Sequence, residues 1–160
     1  MLFANFITAQ AISNYHGVLE QVLILTTFIT MLVGTAGNSG TQSATLIIRS
    51  IAVEGLDFKH WYKVFSKELL VGLLLGLTLG LIAFIRGYLE NEPSHKIAFV
   101  VGSAMIIMVI WANLVGSLLP LILTKFKFDP AVISSPFMAT FIDFTGIMIY
   151  FNLAIWFYGL

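Results

Sequence analysis

An all-α membrane protein is the fold class this sequence predicts: five transmembrane helices in each protomer of a symmetric homodimer. Three observations predict it. The 160 residues are 59% hydrophobic and 10% charged, whereas a soluble domain carries about 45–50% apolar and about 25% charged residues. The apolar residues gather into five stretches between short polar loops, longer than the roughly 10 residues of a barrel strand and without sustained alternation. One acidic residue, Asp143, lies in the middle of the last stretch, and a two-fold dimer, the commonest assembly, would bring it a twin. Length allows one domain, taken as residues 1–160.

The first stretch, about 2–17, is short for a span of about 20 residues and begins at Met1. No basic residue precedes it, so a cleavable signal peptide is not expected. The second, about 22–52, has a polar, glycine-rich middle. The third, fourth and fifth, about 64–88, 97–123 and 131–158, are each long enough to cross a core of about 30 Å. The short connections imply antiparallel neighbours in a compact bundle. Arg49, Lys59, Lys63 and Lys67 flank the second loop, and Lys125 and Lys127 lie in the fourth. The third has only Arg86 and Lys96, beside Glu90 and Glu92, and the first has none. The positive-inside rule then puts loops two and four in the cytoplasm. The chain is expected to be integral to the plasma (inner) membrane, with its amino terminus cytoplasmic and its carboxyl terminus external. Tyr15, Trp61, Tyr62, Tyr88, Trp156 and Tyr158 stand near stretch ends, where aromatic rings settle at headgroup depth. Zero formal net charge gives no field that would draw nucleic acid, and the absence of cysteine excludes disulfides and thiolate metal sites.

Two places break the apolar pattern. In the second stretch, residues 34–42 hold Gly34, Gly37 and Gly40 among Thr35, Asn38, Ser39, Thr41 and Gln42. Each glycine costs about 1 kcal/mol against alanine in a helix interior. A broken helix is tolerated at membrane depth only beside protein or a watery cavity, and Gly37-x-x-Gly40 resembles a close helix contact. The segment is therefore expected to be a broken or closely packed helix lining a pathway. Asn38 and Gln42 share one face of it, and packing alone does not need two amides there.

The second place is Asp143, about a dozen residues into the fifth stretch and so roughly 18 Å deep, near the bilayer centre. A carboxylate there costs about 3 kcal/mol even on the lenient insertion scale, so it must face a bundle interior or water. No basic residue lies mid-span to neutralise it. Pro136, two turns earlier on the same face, frees a carbonyl one turn before itself, and Ala139, Thr140 and Gly146 are small and leave room. One carboxylate is too little for a divalent ion, but two related by symmetry match its charge. Magnesium keeps several waters and accepts one or two carboxylates. Calcium, manganese, cobalt or zinc stay open as alternatives.

The runs Gly37-Asn38-Ser39-Gly40-Thr41-Gln42-Ser43-Ala44-Thr45 with Ile47-Ile48-Arg49, Trp111-Ala112-Asn113-Leu114-Val115-Gly116 with Pro120, and Asp129-Pro130-Ala131 leading to Pro136, Ala139-Thr140, Asp143 and Gly146 resemble the MgtE family of magnesium channels, in the family's order and over nearly the whole chain. The resemblance implies a five-helix membrane domain that dimerises, with the pore on the two-fold axis lined by the second and fifth helices. It implies divalent cation transport, Mg2+ first. Metal would be bound at Asp143 and the Ala139 carbonyl, and the pore lined by Gly37, Asn38, Gln42, Ser135, Pro136, Thr140 and Gly146. Family members carry an acidic helical domain and paired CBS domains ahead of the membrane part. This sequence has neither, so it is either a piece of such a chain or a membrane-only member, not regulated by cytoplasmic Mg2+ and broader in its choice of divalent ion. Ser135 stands where some members have Asn, which alters the ion's surroundings, and Ala36 where Gly is common, which tightens packing.

A membrane enzyme is the weaker reading. His16, His60 and His95 are all in loops, without zinc-ligand spacing, and no HExxH is present. A purely structural subunit would gain little from a buried Asp143. The chain is thus expected to be no enzyme, to need no cofactor, and to have as partners a second copy of itself, the lipid bilayer and divalent cations, with no nucleic acid.

Overall fold

Among the described residues, the long apolar runs fold as helices. The computed structural model describes residues 9–10, 23–90 and 95–159, and the side chains of all of these but 131–136. Four α-helices follow one another: α1 (Thr26–Glu54), α2 (Trp61–Tyr88), α3 (His95–Lys125) and α4 (Pro130–Tyr158). They correspond to the second to fifth apolar stretches. The expected first span lies outside the described residues, apart from helical positions 9–10. Among the described residues, four helices are long and apolar enough to cross a bilayer, among them 31 residues from Phe58 to Tyr88 and 31 from His95 to Lys125.

The ends of the helices follow from local chemistry. Gly55 takes a left-handed conformation (φ 66°), which closes α1 and lets the Leu56 N–H donate to the Ser50 carbonyl at 3.2 Å. The Asp57 carboxylate then accepts from the Phe58 N–H at 2.6 Å and starts the short 3-10 turn Phe58–His60 leading into α2. Lys127 turns the chain after α3 at φ 62°, and Pro130 opens α4, where a missing N–H costs nothing.

The third helix is the hub. It carries buried residues on most of its circumference, from Ile97 to Leu121, and packs against each of the other three helices. Its contact with α2 is a seam of small residues. Val64, Glu68, Gly72, Gly76, Gly80, Ala83 and Gly87 are the buried positions of α2. A Cβ on Gly76 would lie 3.0 Å from the Ile106 carbonyl oxygen, and one on Gly87 3.1 Å from the Ala98 Cα. Such a seam lets backbones approach in a bilayer, where apolar side chains gain nothing from leaving lipid. The rest of α2, including Leu70, Leu74 and Leu81, is exposed and suits lipid contact.

Phe28, Leu32, Met108, Ile142, Tyr150 and Phe151 fill the main core among α1, α3 and α4. The Tyr150 hydroxyl donates to the Leu25 carbonyl at 2.8 Å, so its one polar group is satisfied where water is absent. At the other end Ile47, Val64 and Leu121 form a smaller cluster under Leu56 and Phe58.

The polar segment 34–42 does not break its helix. Helix α1 runs through it without interruption. The close-packed alternative holds, because Gly40 and Gly116 face one another where α1 meets α3. A Cβ on Gly40 would lie 2.8 Å from the Ala112 carbonyl oxygen, and a Cβ on Gly116 would collide with the Gly40 backbone. The contact this permits offsets the glycines' poor helix propensity. Ala36, 1% exposed, is part of the same core.

Candidate functional site

Helices α1 and α4 meet at Gly37 and Asp143. A Cβ on Gly37 would stand 3.0 Å from Asp143 Oδ1, so only glycine leaves the carboxylate its place. Asp143 is half-buried. Among the described residues it has no ion pair and no hydrogen-bond donor; the ion pairs are Lys59–Asp57 and Arg86–Glu90, both toward helix ends. A mid-helix carboxylate with neither base nor donor marks a candidate functional site.

A polar stripe runs beside it on α1. Gly34, Asn38, Gln42, Thr45 and Arg49 are exposed, at successive helical turns, on the outer surface of the bundle. An open groove of about 400 Å³ follows the stripe, lined by Thr41, Gln42, Thr45 and Leu46. Thr41 Oγ1 donates to the Gly37 carbonyl at 2.9 Å and Thr45 Oγ1 to the Thr41 carbonyl at 2.8 Å. These hydroxyls thus spend their protons on the helix and present lone pairs outward. Amides and hydroxyls along one face of a membrane-spanning helix suit water or a second protein surface over them.

The other expected site residues fall as follows. Ala139 and Thr140 are half-buried on α4, one turn before Asp143. Gly146 is buried, and a Cβ there would come 2.7 Å from Met108 Cε, so this position serves the contact with α3. The side chains of Ser135 and Pro136 lie outside the described residues. Next to the site, the Trp111 indole N–H donates to Thr145 Oγ1 at 2.9 Å, and Thr145 Oγ1 donates to the Phe141 carbonyl at 2.7 Å. This pair ties α4 to α3 two residues beyond Asp143, on a different face of the helix from the one that meets Gly37.

Sequence reasoning passed over a second polar cluster. Ser39 Oγ donates to Asn113 Oδ1 at 2.6 Å, and Ser43 Oγ donates to the Glu68 carboxylate. Glu68 (6% exposed) and Asn113 (2%) are buried. Glu68 reads as an end-of-span residue near the basic loop. The signal that finds it is its spacing: four residues before Gly72, and in step with Gly76 and Gly80, it belongs to the buried seam.

The family model for MgtE, divalent cation transporter, matches residues 29–153. Proteins named magnesium transporter MgtE are similar to this chain in Thermus thermophilus (42% identical over 154 residues), Enterococcus faecalis (40% over 156) and Bacillus subtilis (31% over 155). Each match covers 96% of this chain and 34% of the relative, so the chain spans about a third of their length. Both Asp143 and the stripe from Gly34 to Arg49 fall inside the matched region, and the chain belongs to the MgtE family of divalent cation transporters.

Proposed function

We propose that this chain is the membrane pore domain of a magnesium transporter, in which two copies meet across a two-fold axis and the two Asp143 carboxylates hold one hydrated Mg2+ between them. The observation that carries the reading is Asp143 itself: half-buried, set against Gly37, and without a basic partner among the described residues. Two carboxylates match one divalent charge, and Mg2+ retains waters that bridge to Ala139 and Thr140 on α4 and to Asn38 and Gln42 on α1. The stripe on α1 supports a dimer axis on that side, since a second protomer and a water-filled path would cover it. The reading adds 2–17 as a fifth span, makes 1–160 a single domain, and keeps the amino terminus and the basic loops in the cytoplasm.

The family description, divalent cation transporter, favours a second reading: a path that also passes Ca2+, Mn2+, Co2+ or Zn2+. Liposome uptake separates the two. Purified protein is reconstituted, and Mg2+ entry is followed by a trapped dye while each other ion competes. Mg2+ uptake is expected to fall to background in Asp143→Ala and steeply in Asp143→Asn, while both variants stay folded. Undiminished Mg2+ entry through Asp143→Ala refutes the proposal. Equal entry of the competing ions selects the broader reading.

A further inference from the structure

A buried carboxylate, Glu68, stands apart from the half-buried Asp143. Glu68 lies in the second turn of α2 and lines a partly open cavity of about 190 Å³ among three helices. Ser39, Gln42 and Ser43 of α1, Lys67 and Glu68 of α2, and Asn113 of α3 supply its polar walls; Leu46, Val71 and Leu75 close it. A carboxylate has room for about four hydrogen bonds, and the hydrogen bond to Glu68 among the described residues comes from Ser43 alone. Among the described residues, no ammonium or guanidinium reaches it within ion-pair distance. Lys67, its neighbour in sequence, is exposed and forms no pair with it. A buried charge without a counter-charge is costly unless something neutralises it.

We infer that the cavity among α1, α2 and α3 is a binding site for an alkali-metal cation, held by the Glu68 carboxylate together with the hydroxyl and amide oxygens of Ser43, Ser39 and Asn113. The charge count decides the valence. One carboxylate neutralises one positive charge, whereas a divalent ion would leave an uncompensated charge in a low-dielectric wall, next to Lys67. The donor type decides the class. Every ligating atom offered is oxygen, which suits hard cations, and no cluster of three His, Cys, Asp or Glu side chains exists among the described residues for a transition metal. The volume is also right: at about 30 Å³ per water, the cavity takes a cation with part of its hydration shell. Its walls come from three helices, so a bound ion ties the stripe-bearing helix α1 to the α2–α3 pair.

A ligand bound only by the folded state raises the unfolding midpoint. The test measures that midpoint for the purified protein in detergent, in NaCl, KCl and choline chloride at equal ionic strength. Na+ or K+ is expected to raise it by roughly 3 °C over choline, in the unaltered chain and equally in Asp143→Asn. The rise is expected to vanish in Glu68→Gln, which keeps an oxygen for Ser43 but no charge. If Glu68→Gln does not fold, Ser43→Ala keeps the carboxylate and is expected to raise the half-saturating salt concentration several-fold. Equal midpoints in all three salts, as for a carboxyl neutralised by a proton or solvated by waters alone, would overturn the proposal. So would a rise that survives Glu68→Gln, or an unchanged half-saturation in Ser43→Ala. Because the Asp143→Asn arm keeps Glu68 intact, failure of the pore reading leaves this test standing.

Discussion

Replacing Gly40 by alanine should separate α1 from α3, and the structure gives the scale. The added Cβ would lie 2.8 Å from the Ala112 carbonyl oxygen, a backbone atom, and closer still to Ile142 Cδ1. The isoleucine can rotate away, but the carbonyl cannot move without its helix. Ordinary contact begins at roughly 3.4 Å, so the helices must part by about half an ångström along a seam that also includes Gly116. Overpacking of this kind costs about 1–3 kcal/mol, against which alanine recovers about 1 kcal/mol of helix propensity. The net loss is about 0–2 kcal/mol, and the sign is fixed by comparison within the same helix. Gly34 has nothing within 4 Å of its Cβ position, so Gly34→Ala should gain the propensity term alone. The two variants should differ by about 1–3 kcal/mol. Equilibrium unfolding in mixed micelles with increasing dodecyl sulfate measures this, with Gly34→Ala above and Gly40→Ala below the unaltered protein. If Gly40→Ala proved as stable as Gly34→Ala, the close contact of α1 with α3 would be wrong.

Gly37→Ala probes function at little cost to the fold. Its Cβ meets a mobile carboxylate oxygen at 3.0 Å, not a backbone, so stability should hold or rise by up to about 1 kcal/mol. Mg2+ entry into liposomes should nevertheless fall about tenfold, since a displaced Asp143 loses roughly 1.4 kcal/mol of ion binding at that factor. Undiminished entry would mean that Asp143 needs no clearance at Gly37. Tyr150→Phe removes the hydroxyl that donates to the Leu25 carbonyl. Hydrogen bonds inside membrane proteins average about 0.6 kcal/mol, so a loss of about 0.5–1.5 kcal/mol in the same micelle titration is expected, and none would show that the bond carries no net stability.

The all-helical, membrane-spanning character was legible because it rests on long-range composition: 59% hydrophobic residues leave no polar surface for water. The Asp143 region was legible for a related reason. A charge at mid-span is so costly that its position alone marks it. Residues 34–42 were ambiguous, because glycines and polar side chains serve equally to break a helix and to pack one closely. Only the partner decides, and here it is the Ala112–Gly116 backbone of α3, more than seventy residues further along the chain. Glu68 was passed over for a different reason. Counting from the loop places it near the membrane edge, but burial depends on direction around the helix as well as depth. The seam of Gly72, Gly76 and Gly80 points that direction at α3.

The glycine seams and the carboxylates of Glu68 and Asp143 are aspects of one arrangement. In lipid, helices gain nothing by hiding apolar side chains, so close backbone contact and satisfied polar groups must hold the bundle together. Glycines at Gly40, Gly76 and Gly116 bring α1, α2 and α3 near enough for Ser39 to reach Asn113 and Ser43 to reach Glu68. That same closeness leaves Gly37 open to Asp143 on the other side of α1. A single helix therefore carries polar contacts on both flanks: toward α2 and α3 through its serines, and toward α4 through a glycine beside a carboxylate. Any shift of α1 that alters one flank must alter the other, because the helix runs unbroken between Thr26 and Glu54.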